Sequence, residues 1–203
     1  RHAEAHRNGD IHIHDLDFLT LTTTCCQIDL LELFKNGFST GHGVLREPMD
    51  IASYSALCCI AIQANQNDQH GGQSISNFDY GMAPGVRKTY MKRFRDNVSR
   101  LLDAEFDVED SDAAAKRMLD EVEQETGLVP EMEEKPAFDE ALLARLGAYM
   151  EKGQAEKLLR SVRKFSHKEI VKATFQAMEA LVHNLNTMNS RAGAQVPFSS
   201  INY

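Results

Sequence analysis

The stretch TTTCCQIDL at residues 22–30 carries two adjacent thiols in a run of β-branched and polar residues. Such a run predicts an extended segment, in which successive side chains point to opposite sides. Cys25 then lies on a side that is polar throughout, whereas Cys26 lies on a side that ends in Ile28 and Leu30. We predict that Cys25 is the thiol available for chemistry and that Cys26 packs as a small hydrophobic residue. Two buried, inert thiols are the alternative.

A second polar stretch, IHIHDLDF at residues 11–18, places His12 and His14 on one side of a predicted strand. Two imidazoles at this spacing could hold the metal ion of a hydrolase. No third ligand follows at a diagnostic spacing, however, so we predict no metal site. A neutral imidazole both donates and accepts a hydrogen bond, which suits a polar substrate. His12 and His14 are therefore both candidates for positioning a polar substrate.

Adjacent glycines stand in the stretch QHGGQS, residues 69–74. Gly71 and Gly72 allow close approach of the backbone, and exposed N–H groups in such a turn can cradle an anion such as a phosphate. The stretch lacks the GK[ST] of a Walker motif, and taken alone it is also typical of a simple tight turn. Both glycines are candidates for substrate binding.

The final stretch, VPFSSINY at residues 196–203, is typical of a strand but is polar where a buried strand is normally apolar. Its polar members Ser199, Ser200 and Asn202 are further candidates for substrate binding. Together with the thiol, the imidazole and the glycine turn, they predict one cavity in which several strands hold a polar substrate.

The composition limits the class of protein. The chain has 203 residues and a formal net charge of −8, which is enough length for a compact domain. The acidic balance argues against a nucleic-acid partner, which requires a clustered basic surface. No apolar run approaches the roughly 20 residues of a membrane span and no signal peptide is recognisable, so we predict a cytoplasmic protein with no membrane partner. The paired cysteines lack the spacing of a disulfide framework, which favours reduced thiols.

Hydrophobic periodicity and turn residues divide the chain into elements that position these candidates. We predict, in order, extended segments at 11–18 and 21–30, a loop at 37–43, a helix at about 49–65, a helix that follows Pro84, a charged helical insertion at about 103–164 with breaks at 127–130 and Pro136, a helix at 167–188, and a final strand. The chain starts at Arg1 and ends in that strand, so we interpret it as a fragment.

The motifs form a recognisable series: HRNGDIHIHDLDF, TTTCCQIDL, GFSTGHGVLREP, NQNDQHGGQS, DYGMAPGV, FQAMEALVHNLNT and SRAGAQVPFSSINY. In this order they resemble the anaerobic, class III ribonucleoside-triphosphate reductases, which are glycyl-radical enzymes. The resemblance covers residues 1 to about 95 and 167–203. It implies an α/β fold, with residues 1–203 as a mostly helical fragment of the ten-stranded α/β barrel of the catalytic domain.

The resemblance also implies a reaction, the reduction of ribonucleoside triphosphates to 2′-deoxyribonucleoside triphosphates by glycyl and thiyl radical chemistry. Cys25 matches a first-strand cysteine that acts as a hydrogen donor. His14 and Asn202 would lie near the substrate or formate, and Ser199, Ser200 and the glycine turn would contact the nucleotide. The glycine turn could instead contribute to a dimer surface that binds effectors.

Several cofactors and partners follow from the same resemblance. They are a glycyl radical on a glycine outside these residues, a radical-SAM activase that installs it, formate as the usual reductant, ATP and dNTP effectors, a second copy of the subunit, and zinc only in a part of the protein that follows residue 203. A thiol reductant and the role of Cys26 stay open. The fragment alone is expected to be inactive. The alternative is a non-catalytic, nucleotide-binding regulatory barrel.

Overall fold

The computed structural model describes residues 1–13, 25–41, 43–69, 71–189 and 196–202. The helices are α1 (His2–Arg7), α2 (Leu30–Asn36), α3 (Ile51–Asp68), α4 (Phe78–Phe106), α5 (Ser111–Thr126), α6 (Pro136–Leu146) and α7 (Lys152–Thr187). The strands are β1 (Cys26–Gln27), β2 (Phe38–Ser39), β3 (Val44–Leu45), β4 (Gln73–Ile75) and β5 (Ser199–Ile201). Among the helices of this part of the chain, none combines the length and the apolar character needed to cross a lipid bilayer.

Two small sheets accompany the helices. The strands β1, β4 and β5 form a parallel sheet in the order β1-β4-β5, in which Cys26 pairs with Gln73 and Gln73 pairs with Ser199. The antiparallel pair β2 and β3 occupies part of the predicted loop 37–43 and the residues after it. Within the described residues the strands do not close into a barrel, so what is observed is a mostly helical α/β fold.

A side-chain cap ends the predicted extended segment 21–30 earlier than the sequence predicts. Asp29 Oδ1 accepts hydrogen bonds from the backbone N–H groups of Leu31 at 3.0 Å and Glu32 at 3.3 Å, and it thereby caps α2. The extended segment was predicted to continue to Leu30, which instead is the first residue of the helix. The first four residues of the predicted segment 21–30 lie outside the described residues.

Helix α4 begins at Phe78, before Pro84, so the predicted start after Pro84 is wrong. Proline inside a helix removes a backbone hydrogen bond and crowds the preceding turn. Gly81 and Gly85 lie in the same turns and let α4 approach its neighbours closely. A Cβ atom at either glycine would lie 2.7 Å from a side-chain atom of α2 or α3. The close packing of α4 on these helices offsets the cost of the proline.

Helix α7 is 36 residues long and starts at Lys152, well before the predicted start. A capping box explains the early start, because the side chains of Glu151 and Gln154 each accept a hydrogen bond from the backbone of the other. Helix α4 likewise continues past the predicted boundary, to Phe106. The charged segment 103–164 is therefore continuous with two long helices rather than set apart from them.

Two clusters of buried side chains hold the helices together. One lies among α2, α3, α4, β4 and α7, and its members include Leu30, Phe34, Ile51, Tyr54, Cys58, Ile62, Ile75 and Leu181. The other lies among α4, α5, α6 and α7, and its members include Phe94, Val98, Leu102, Val122, Phe138, Leu142, Val162 and Ile170. The predicted insertion is thus more than a solvated charged surface, because its apolar residues pack in a core that they share with α4 and α7.

We predict that Gly85→Ala lowers the free energy of unfolding by about 1–3 kcal/mol, the usual effect of overpacking a core. The new Cβ would lie 2.7 Å from Cγ of the buried Tyr54, so the ring or the helix must move. Gly153→Ala in α7 is the matched control, since no atom lies within 4 Å of its Cβ position. Urea denaturation of the 203-residue chain measures both variants, and equal stabilities would contradict the packing described for α4.

Candidate functional site

One face of the β1-β4-β5 sheet borders an open cavity of about 410 Å³. Paired residues of neighbouring strands point to the same face, and neighbours along a strand alternate. The register therefore places Cys25, Gly72 and Phe198 in one row across this face. The next row on the same face contains Gln27, Ser74 and Ser200. The cavity is thus bounded by a thiol, an amide, two hydroxyl groups and an aromatic ring.

Strand alternation sends the two adjacent thiols to opposite faces of the sheet. Cys25 is exposed and lines the cavity, whereas Cys26 is partly buried on the side of α3. Asn65 Nδ2 lies 2.8 Å from Cys26 Sγ and donates a hydrogen bond to it. The surroundings of Cys26 are therefore more polar than the predicted packing among aliphatic residues.

An amide network behind the sheet connects α3 to the strands. Asn65 Nδ2 also donates to Gln73 Oε1 at 2.7 Å. Gln73 Nε2 in turn donates to Ile62 O at 2.8 Å and to Gln66 Oε1 at 3.1 Å. Gln73 is buried, and a buried amide without partners costs stability, so the network explains how a polar residue is accommodated in β4. The network also links the C-terminal part of α3 to β1, which follows Cys25, and to β4, which follows the glycine turn.

The second cysteine pair has a different environment. Cys58 and Cys59 lie in an apolar run of α3, and both are buried within the core. Burial, reinforced by the neighbouring Cys59 thiol, raises the pKa of Cys58 to about 12. Burial also raises the pKa of Cys59. A thiol that stays protonated is a poor nucleophile, so this pair contributes packing and not chemistry.

The structure brings some of the predicted substrate-binding residues to the cavity. Gly72 and Ser200 line it on the same face as Cys25. Ser199 also borders the cavity, but the register places it in the row of Cys26 and Gln73, which faces the helices. Of the two adjacent serines, Ser200 is therefore the one oriented towards a ligand in the cavity.

Two of the predicted substrate-binding residues, Gly71 and Asn202, do not line the cavity. Gly71 is exposed, with a left-handed φ of 105° that favours glycine. Asn202 follows β5, where its N–H donates to Ile75 O at 2.9 Å and its carbonyl accepts from Phe78 N at 3.1 Å. His14 lies outside the described residues.

Metal-ligating residues are not grouped in the part of the chain that the structure describes. There, no three His, Cys, Asp or Glu side chains come together in a way that could hold a metal ion. The ring of His12 lies 5.4 Å from the ring of His6, near the end of α1. The predicted pairing of His12 with His14 is not tested, because His14 is outside the described residues.

Ser74, Phe198 and Asn65 are among the site residues that were not predicted from the sequence. Ser74 could have been found, because it lies two residues after Gly72 and so shares its face of the strand. Phe198 is an apolar residue in a polar strand, and nothing local indicates that it borders the cavity. Asn65 reaches Cys26 from 39 positions away in the sequence, and no spacing rule predicts such a contact.

Comparisons with known proteins agree on one family. A family model described as anaerobic ribonucleoside-triphosphate reductase matches residues 1–203. The chain is 33% identical over 95 residues to the anaerobic ribonucleoside-triphosphate reductase of Enterobacteria phage T4, which covers 46% of this chain and 16% of that protein. It is 33% identical over 91 residues to the protein of the same name from Escherichia coli, covering 44% of this chain and 13% of that protein. The chain thus spans only a small part of the length of these relatives.

We predict that iodoacetamide modifies Cys25 of the native chain first, because this thiol is exposed at the cavity. Cys58 and Cys59 should react only after unfolding, since they are buried and their raised pKa values leave little thiolate at pH 8. Timed alkylation followed by peptide mass spectrometry gives the rate for each cysteine, and the urea-unfolded chain serves as the control in which all four react. Rapid labelling of Cys58 in the native chain would contradict the described core.

We predict that Asn65→Ala lowers the free energy of unfolding by about 1–3 kcal/mol, because it leaves Gln73 Oε1 without its donor. The same change should speed the alkylation of Cys26, which loses its hydrogen bond from Asn65. Asn67→Ala is the matched control, since Asn67 is an exposed asparagine of the same helix. Denaturation curves and Cys26 labelling rates that do not differ between the two variants would rule out a structural role for the network.

Proposed function

Because the chain belongs to the anaerobic ribonucleoside-triphosphate reductase family, we propose that it is part of a catalytic subunit that reduces ribonucleoside triphosphates to 2′-deoxyribonucleoside triphosphates. The observation that supports this most strongly is the position of Cys25, exposed in a cavity whose other groups can bind a hydroxylated ligand. The matched relatives carry this activity in their names, and the chain corresponds to 13–16% of their length.

The proposed fold is part of a ten-stranded α/β barrel. The sheet β1-β4-β5 is parallel and has helices on one face, while its other face borders the cavity. Parallel sheets normally have both faces covered, and a sheet that closes into a barrel achieves this by enclosing its inner face. In this arrangement further strands pair with the outer edges of β1 and β5, and Cys25 points into the barrel. Residues 1–203 then form a fragment of the catalytic barrel domain, with 103–164 as its charged helical part.

In the proposed reaction, a thiyl radical formed outside these residues would remove the 3′ hydrogen of the ribose, and the 2′-hydroxyl would leave as water with the proton of the 3′-hydroxyl. Cys25 Sγ–H would then give its hydrogen atom to the resulting C2′ radical, and formate would reduce the thiyl left on Cys25. The glycyl radical, on a glycine outside these residues, supplies the unpaired electron that starts the chemistry. A thiol suits the donor role because an S–H bond is weaker than the C–H bond that it forms. The thiol borders the cavity beside Gly72, which has no side chain of its own to stand between the sugar and Sγ.

The polar groups of the cavity orient the substrate over the thiol. Gln27, Ser74 and Ser200 share the face of Cys25, and their amide and hydroxyl groups can donate to and accept from the ribose hydroxyls and the phosphates. Holding the reacting carbon close to Sγ replaces a chance encounter with a fixed geometry, which is a large part of enzymatic rate enhancement. The roles of His14, Gly71, Ser199 and Asn202 in substrate binding rest on the resemblance of their motifs.

The cofactors and partners of this proposal come from the same family resemblance. They are formate as the reductant, ATP and dNTP effectors, a radical-SAM activase, a second copy of the subunit, and a zinc site in a part of the protein that follows residue 203. The cytoplasm is the proposed location. Cys25 and Cys26 point to opposite faces of the sheet, which favours a reductant that needs a single cavity thiol over one that exchanges with both.

We predict that Cys25→Ser in the full-length, activated enzyme abolishes turnover, because a serine O–H bond is too strong to supply the hydrogen atom. The glycyl radical should still form, since the substitution acts after activation, and electron paramagnetic resonance measures it. Cys26→Ser is the matched control and should keep substantial activity. Full activity of Cys25→Ser would refute the assigned role, and nucleotide binding without any turnover of the wild-type enzyme would favour the regulatory barrel.

A further inference from the structure

Phe198 is the aromatic residue that lines the cavity, and it is among the most exposed large apolar side chains of the described residues. Its side chain is 78% exposed although it lies directly before β5, on a sheet whose other face is packed against helices. Removing a large apolar side chain from water is favourable. An exposed phenylalanine that borders a polar cavity is therefore more informative than a single exposed apolar residue elsewhere on the surface. Its position is consistent with a surface that is covered when a ligand binds.

The ring of Phe198 lies over Gly72. A Cβ atom at Gly72 would lie 3.0 Å from Cδ1 and 3.2 Å from Cε1 of the ring, so any larger residue there would displace it. Gly72 separates Phe198 from Cys25 in the row across the sheet. Two strand spacings place the Cα atoms of these two residues roughly 10 Å apart. Because Gly72 has no side chain, the Phe198 ring can lie above it, on the side of the sheet where Cys25 points.

We propose that Phe198 is a substrate-binding residue whose ring packs against the nucleobase while the ribose lies over Cys25. The inference rests on the proposed function and adds the position of the base to it. The cavity offers hydrogen-bonding groups for a hydroxylated sugar and one aromatic surface for a planar, weakly polar group, and a nucleoside combines both. Stacking on an aromatic ring is available to every base, because each has a π face, so the contact adds affinity without strong selection of one base.

The test compares nucleotide binding in the full-length protein before activation, with Phe198→Ala, Phe198→Tyr and wild type. The probes are GTP, CTP and ribose 5-triphosphate, which has no base. Phe198→Ala should raise the dissociation constant for GTP by about five- to a hundredfold, the range found when a base-stacking ring is removed. CTP, with its smaller ring, should lose less, ribose 5-triphosphate should be unaffected, and Phe198→Tyr should bind as wild type does.

Two further variants control for indirect effects. Val196→Ala changes an exposed apolar residue just before the strand and should leave all three affinities unchanged. Gly72→Ala should weaken GTP binding more than ribose 5-triphosphate binding, because its methyl group displaces the Phe198 ring. After activation, the Phe198→Ala change should appear in KM for GTP more than in kcat, since the ring does not contact the reacting carbon.

The outcomes separate the inference from the function on which it rests. Equal losses of GTP and ribose 5-triphosphate affinity in Phe198→Ala would mean that the ring shapes the cavity and does not hold the base, which overturns the inference. Unchanged GTP affinity would overturn it as well, and would mean that another part of the protein covers the ring. If instead the wild-type protein binds none of the three probes and shows no turnover, the proposed function itself fails.

Discussion

The parallel pairing of β1 with β4 and of β4 with β5 is the constraint on which the site depends. It aligns Cys26, Gln73 and Ser199 in one row, and so it aligns the residues on either side of them in rows on the opposite face. Two chemically identical neighbours, Cys25 and Cys26, thereby acquire different environments without any difference in their own chemistry. A shift of the register by one residue would exchange their faces, and the thiol at the cavity would be the other one.

The amide network behind the sheet secures that register. Asn65 contacts both Cys26 and Gln73, so it holds β1 and β4 in their relative positions from the side of α3. Buried amides are stabilising only when all partners are in place, and a slipped strand would leave Gln73 without them. The hydrogen bonds of Gln73 explain why β4, which packs against helices, carries an amide where an aliphatic residue would pack well. They favour one register of the strands, whereas apolar contacts are less specific.

The charge of the chain is distributed unevenly and does not weaken this framework. Residues 103–164 carry 17 acidic and 9 basic side chains, which accounts for the whole formal charge of −8. Their repulsion is balanced by the buried cluster among α4–α7 and by ion pairs such as that of Arg163 with Asp139, which are both largely buried. The remainder of the chain, including all residues around the cavity, is neutral overall.

Local signals in the sequence determined several helix positions of this protein and the family to which it belongs. Spacing, capping residues and composition act over a few positions along the chain. They predicted the helix α3, the break after α5 at Gly127, the break at Pro136 where α6 begins, and the order of motifs that indicates the family. Helix starts that depend on distant packing were not predictable in this way, as Pro84 inside α4 illustrates.

Only the tertiary structure decided which residues surround the cavity. It placed Phe198 over Gly72, turned Ser200 and not Ser199 towards the thiol, and brought Asn65 to Cys26. The physical reason is that strand register and helix-to-strand contacts join residues far apart in the sequence, and they are set by the combined packing of many side chains. Periodicity along one segment states which residues share a face, but it cannot state what lies opposite that face.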